Sequence, residues 1–175
     1  MTELLTQTKE KILDHYRCVQ ATMSELPFYC SHLDVELVGW QNLYEKDKTT
    51  EHWCSIGVLI TPWCMNVILV PNHTVLNASP DVQPFPTVGE TWQVALNGGV
   101  FEFTCADDMG FGQFASGSLI SVMQQFEHQT AAVSFAEQSL HMLLNLPSKT
   151  GNKNNPNNEK KLSRRALFAQ LLPVG

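Results

Sequence analysis

No stretch of this 175-residue chain is both long enough and apolar enough to cross a bilayer. The longest hydrophobic passage, Trp53 to Pro71, is interrupted at Thr61-Pro62. Met1 to Lys11 is polar and lacks the apolar centre of a secretory signal. Cytoplasmic residence without stable membrane insertion is therefore expected. Basic side chains are also scarce in the body of the chain: Met1 to Ser148 carries 5 Lys and Arg against 16 Asp and Glu. Such a body cannot offer phosphates a basic face, which excludes nucleic acid as the expected partner and favours basic peptide segments. The 5 cysteines, Cys18, Cys30, Cys54, Cys64 and Cys105, are odd in number and irregular in spacing, which fits reduced thiols better than a disulfide framework.

Motifs for catalysis are missing too. There is no Gly-x-Ser-x-Gly elbow, and Ser116-Gly117-Ser118 lies in an expected strand. Gly98-Gly99 and Gly110-Phe111-Gly112 lack the Lys-Ser/Thr end or the following helix of a phosphate loop. Cys30-x-His32 and His52-x-Cys54 have zinc-type side chains, but not the Cys-x2–4-Cys knuckle that converges two thiolates. Buried or half-exposed side chains are the expectation there. His128 and His141 are too far apart on one helix for joint ligation, and Asp107-Asp108 reads as a solvated turn. No catalytic residue, no metal site and no cofactor is expected, so the chain reads as something other than an enzyme.

What is present is a pattern of helices and strands. Leu5, Ile12, Tyr16, Val19, Met23 and Leu26 recur at three- and four-residue steps, which predicts an amphipathic helix from Glu3 to Leu26, stopped by Pro27. Leu33, Val35 and Leu37 alternate with Asp34 and Glu36, the pattern of a strand with one wet face. Tyr44 to Glu51 reads as a charged loop. Val58-Leu59-Ile60 and Val67-Ile68-Leu69-Val70 are apolar without alternation, which predicts a hairpin covered on both faces. Pro62 suits the second position of its turn, where a fixed φ and a missing N–H cost nothing. Asn72 to Val88 reads as an irregular surface excursion containing Pro80, Pro84 and Pro86.

Trp92, Val94 and Leu96 alternate into Asn97-Gly98-Gly99, a hairpin signal because Asn-Gly tolerates positive φ. Val100, Phe101 and Phe103 form the return strand, Asp107 to Gly112 a second turn, and Phe114 to Val122 a further strand. A second helix runs from His128 to Leu146, with Phe126, Ala132 or Val133, Ala136, Leu140, Leu143 and Leu144 as its apolar stripe and Pro147 as its stop. The expected fold is α+β: an antiparallel sheet flanked by N-terminal and C-terminal helices in a domain spanning 1–147. Residues 148–175 read as a flexible Asn-rich linker and a basic tail, with 6 Lys and Arg and one Glu from Lys149 onward.

Three segments together resemble a known family. Ile60-Thr61-Pro62-Trp63-Cys64-Met65-Asn66-Val67-Ile68-Leu69-Val70-Pro71 is similar to the Thr-Pro-Trp hairpin of the nickel–iron hydrogenase assembly chaperones called HybE, HupJ or HoxT. Ser116-Gly-Ser-Leu-Ile-Ser-Val-Met123 resembles that family's Ser-Cys-Ser-Leu-x-Ser-Pro segment, with Gly117 in place of Cys and Val122 in place of Pro. Ser163-Arg164-Arg165-Ala166-Leu167-Phe168 resembles its Arg-Arg ending.

The resemblance implies a cytoplasmic chaperone without catalytic activity. Its implied clients are precursors of an uptake hydrogenase, chiefly the small subunit with its twin-arginine signal, and also the large subunit. A metal-delivery protein and a structural accessory of the hydrogenase complex are the alternatives. A receptor for a twin-arginine leader needs carboxylates for the guanidinium forks and an apolar groove or sheet edge for the weakly apolar stretch behind them. Trp63, Met65 and Asn66 at the central hairpin, with Glu36 on an adjacent strand, are the candidate client-binding residues. Core packing is the competing role for Trp63 and Met65, and plain solvation for Glu36. The tail motif Ser163, Arg164, Arg165, Leu167 and Phe168 has two readings: a pseudo-signal that occupies the client groove or recruits the machinery that recognises such motifs, or a helical cap with solvated arginines.

Overall fold

In the computed structural model, described over residues 2–44, 52–72 and 85–145, the chain folds as the expected α+β unit. Helix α1 (Thr2–Met23) is followed by β1 (Glu36–Tyr44), β2 (His52–Ile60), β3 (Met65–Pro71), β4 (Thr91–Leu96), β5 (Gly99–Asp108) and β6 (Gly112–Ile120). A 3-10 turn, Met123–Gln125, then leads into α2 (Gln129–Asn145). The six strands form one antiparallel sheet in the order β1-β2-β3-β6-β5-β4. It is two three-stranded meanders joined through β3 and β6. No described helix is long and apolar enough to cross a membrane.

The apolar hairpin is central because it is buried on both sides. One cluster gathers Cys54, Ile56, Val58, Ile60, Met65, Val67 and Leu69 with Ala132, Ala136, Leu140 and Leu143 of α2. The other gathers Leu59, Ile68 and Val70 with Leu37 and with Ile12 of α1. The helices thus cover opposite faces, and the unalternating runs of β2 and β3 follow from that. At roughly 1.5–3 kcal/mol per fully buried Val, Leu or Ile, these two strands dominate the stability.

Local departures from the expected pattern have identifiable causes. Helix α1 stops at Met23, three residues short of Leu26, because Pro27 has no N–H for the Met23 carbonyl; Leu26 N–H donates there at 3.1 Å. The ladder of β1 starts at Glu36, not Leu33. Leu33 joins the α2-side cluster while Val35 and Leu37 join the α1 side. The expected alternation holds, with Leu33, Val35 and Leu37 buried, Asp34 exposed and Glu36 half-buried, and the second face closes only from Val38, 6% exposed. Gly39, at φ +63°, sits in a register shift of β1, and a Cβ there would strike Leu140. The shift leaves Trp40 packed with the α1-side cluster, its Nε1–H donating to Leu5 O at 3.0 Å.

The Asn97-Gly98 turn is a two-residue loop, but Asn97 does not take positive φ; Gly99 does, at +136°. Gly98 is needed instead for close approach: its N–H donates to Leu143 O at 2.9 Å and Asn97 Nδ2 donates to Leu144 O at 2.6 Å. The turn therefore caps the C-terminus of α2. Helix α2 buries Phe135 and Ser139 besides the expected stripe, whereas Leu144 is only partly covered. The loops expected over Tyr44–Glu51 and most of Asn72–Val88, like the tail, lie outside the described residues apart from their ends.

Tyr16 of α1 stands edge-on to His15 and near Phe111, while His15 Nε2 meets Asp108 Oδ2 at 3.0 Å. Burial, then the nearby Cys64 and Asp108, push the Tyr16 phenol up to about 12. Because the folded value lies above the unfolded one, this group's contribution is intact below about pH 10 and is lost as pH rises through about 12. Across that window the unfolding free energy should fall by up to about 2–3 kcal/mol more for wild type than for Tyr16→Phe, less whatever solvent screening removes. Parallel denaturation curves for the two proteins would refute the assignment.

Candidate functional site

Two segments about fifty residues apart meet at one end of the sheet. Asn66 of β3 pairs with Ser118 of β6, and Met65 pairs with Ile120. The Thr61–Cys64 turn that precedes them is held by the threonine side chain. Thr61 N–H and Thr61 Oγ1 both donate to Cys64 O, at 2.9 and 2.8 Å, and Thr61 Oγ1 accepts from Cys64 N–H at 3.0 Å. A hydroxyl here closes the turn that Pro62 opens. Pro62 O accepts from Cys30 N–H at 2.9 Å, which ties the loop after α1 to the turn. Tyr29 then stacks on Trp63, with ring centroids 6.4 Å apart, and its hydroxyl accepts from Gln20 Nε2 at 2.9 Å.

A third segment completes this end. His32 Nε2 lies 2.8 Å from Phe126 O, Asp34 N–H donates to Gln129 Oε1 at 3.0 Å, and Gln129 Nε2 donates to Glu36 Oε2 at 2.8 Å. The Phe28–Val35 loop, the Thr61–Cys64 turn and the Ser121–Gln129 connection therefore make one surface. Phe28 and Val122 are its exposed apolar side chains, 42% and 61% accessible. Asp34 and Glu127 are its exposed carboxylates, and Glu25 is exposed three residues before Phe28 in the chain. Among the described residues from Cys18 to Asn145 there is no Lys or Arg at all, and Glu127 has only His128 Nε2 nearby, at 3.8 Å.

The four candidate residues do not share one surface. Met65 is fully buried and faces α2. Trp63, 8% exposed, lies beneath Tyr29. Asn66 is half-buried on the opposite face from Met65, where Nδ2 lies 3.5 Å from Cys64 Sγ. Glu36 is half-buried in the row Glu36, Ile60, Met65, Ile120 and is held by Gln129. Asn66 and Glu36 remain accessible, on opposite faces of the sheet, whereas Trp63 and Met65 are buried. Phe28, Val122 and the flanking carboxylates escaped residue-by-residue reading; the signal that could have found them is the local absence of cations.

Apart from exposed Cys18, the thiols are buried or half-buried. Cys30, Cys54 and Cys105 lie in the α2-side cluster, and burial pushes all three upward. Burial also raises Cys64, against hydrogen bonds from Thr61 and Asn66 that lower it. Such groups stay protonated and weakly nucleophilic. Among the described residues no three His, Cys, Asp or Glu side chains form a group that could hold a metal ion.

Comparison with known proteins places the chain among hydrogenase assembly proteins. The hydrogenase expression/formation protein HupT of Azotobacter chroococcum mcd 1 is 36% identical over 165 residues, covering 94% of this chain and 96% of the relative. Hydrogenase expression/formation protein HoxT of Azotobacter vinelandii is 38% identical over 164 residues, covering 94% and 95%. The solution structure of HybE from Escherichia coli shares the fold, with a TM-score of 0.50 at 22% identity over 78% of this chain and 83% of that one. The sequence profile of the family described as [NiFe]-hydrogenase assembly, chaperone, HybE matches residues 7–170. The chain belongs to the HybE family of [NiFe]-hydrogenase assembly chaperones.

Proposed function

We propose that this protein is a non-catalytic cytoplasmic chaperone that holds an immature [NiFe]-hydrogenase subunit, chiefly the small-subunit precursor gripped by its basic twin-arginine leader, and coordinates its maturation with export. The observation that carries the reading is the end of the sheet where exposed Asp34 and Glu127 share a surface with exposed Phe28 and Val122, exposed Glu25 precedes Phe28 in the chain, and no described residue after Arg17 is Lys or Arg. Each guanidinium of an Arg-Arg pair can fork onto a carboxylate, a geometry that lysine cannot reproduce. Phe28 and Val122 then take the weakly apolar stretch that comes after the arginines. Half-exposed Asn66 and Ser118, paired across β3 and β6, supply donors and acceptors to its backbone.

The test is retention of a tagged small-subunit precursor, with and without its leader, on wild type and on the Glu25→Gln, Asp34→Asn, Glu127→Gln triple variant. The leaderless client should be lost. The triple variant should bind the full precursor about tenfold more weakly, from roughly 0.5 kcal/mol per exposed ion pair. Added salt should narrow that gap. Equal retention of leaderless and full-length client would overturn the proposal.

A further inference from the structure

Helix α1 covers only part of its face of the sheet. Its buried Ile12 packs with residues of β1, β2 and β3. Beyond β6, the same face of β5 and β4 carries Thr104, Glu102, Thr91 and Gln93, all exposed. One step past the Thr104 and Ser116 pair, Glu102 comes level with Ser118, which is level with Asn66. A polar strip thus runs from the candidate site to β4, and its one carboxylate is Glu102.

Strand β4 is an edge of the sheet. Cys105 N–H donates to Glu90 O, so the alternation of an antiparallel ladder turns the backbone groups of Thr91, Gln93 and Ala95 outward. An edge with outward N–H and C=O groups is a template for another extended segment.

The chain itself delivers a candidate occupant. The end of α2 is fastened to the β4–β5 turn through Leu143 O and Leu144 O, so the residues after Asn145 start beside this edge. From Lys149 onward they carry 6 Lys and Arg and one Glu, whereas the described surface after Arg17 has no Lys or Arg. We infer that the basic C-terminal segment, Lys160 to Phe168, docks intramolecularly along β4 as an added strand with its bases over Glu102.

Reach is not limiting. Residues 146–159 can span up to about 46 Å at roughly 3.3 Å each, whereas a six-residue strand is about 20 Å long. Either pairing register places two bases on the Glu102 face, Lys161 with Arg165 or Lys160 with Arg164. A short tether sets an effective concentration in the millimolar range, so a weak contact suffices. Regulation of the client site is then a consequence that rests on the function proposed above: a leader bound at Asn66 and Ser118 would compete with the docked tail.

The docking is tested without any client. Amide hydrogen exchange is followed in the full wild-type chain, in a full chain with Lys160, Lys161, Arg164 and Arg165 changed to Gln, and in Glu102→Gln. Thr91, Gln93 and Ala95 should exchange at least tenfold more slowly in wild type than in the Gln-substituted chain. Glu102→Gln should lose part of that protection, and added salt should erode it in wild type alone. Equal exchange in all three proteins overturns the inference. Protection that grows with protein concentration also overturns it, by assigning the edge to a second copy. Precursor retention, the readout for client capture, is separate, so either idea can fail alone.

Discussion

Gly98→Ala should cost about 3 kcal/mol of folding free energy, read as a lower denaturant midpoint at unchanged slope. A single methyl has this effect because of where it would stand. A Cβ on Gly98 would fall on the Met142 carbonyl oxygen and within 3.1 Å of Leu143 O and 3.2 Å of Leu143 Cα. All three are backbone atoms of α2, so no side chain can swing aside. The hairpin must lift off the helix, at about 1–3 kcal/mol for overpacking. Lifting it also loosens the bonds from Gly98 N–H to Leu143 O and from Asn97 Nδ2 to Leu144 O, each worth about 1 kcal/mol. A loss below about 1 kcal/mol would mean that the two halves of the sheet are not bridged through this contact.

This glycine also marks the boundary of what the sequence discloses. Asn97-Gly98 announces a hairpin by its own turn chemistry, and the hairpin is there. That the turn also caps a helix forty-five residues later is a tertiary fact, and local propensity cannot contain it. The Trp53–Pro71 hairpin was legible for the opposite reason: its apolar runs and its proline break are wholly local. The β3–β6 pairing that unites the Thr-Pro-Trp and Ser116–Met123 segments lies between those extremes. Both strands could be read, but nothing within either names its neighbour. The candidate residues suffered from the same gap. Asn66 was noticeable as an amide among hydrocarbons, and it does remain accessible. Core packing, the competing reading for Trp63, is what the fold delivers, but its lid Tyr29 sits on a separate loop that nothing within the turn names. Phe28 and Val122 were invisible because single exposed apolar residues are common, and only the fold puts these two on the same surface.

Met65 and Asn66, adjacent in sequence and on opposite faces of β3, should respond to alanine in opposite ways. Met65 is fully buried beside Ile60, Val67 and Ile120. Met65→Ala removes most of its side chain from a site that α2 and the sheet close on all sides, and should cost about 2–5 kcal/mol. Its affinity for a twin-arginine leader, measured at a temperature where the variant is folded, should match wild type. Asn66→Ala forfeits only a 3.5 Å donation to Cys64 Sγ on a half-exposed side chain, so its stability should stay within about 0.5 kcal/mol. Leader affinity should fall about tenfold, since the proposed contact, an amide donating and accepting toward an extended backbone, is lost, at roughly 0.5–1.5 kcal/mol for each net hydrogen bond. Calorimetric unfolding and titration with one synthetic leader peptide separate the two effects. If Asn66→Ala bound the leader as tightly as wild type, recognition would have to lie off the α1-side face. The carboxylates around Phe28 and Val122 would then have to act without Asn66 and Ser118.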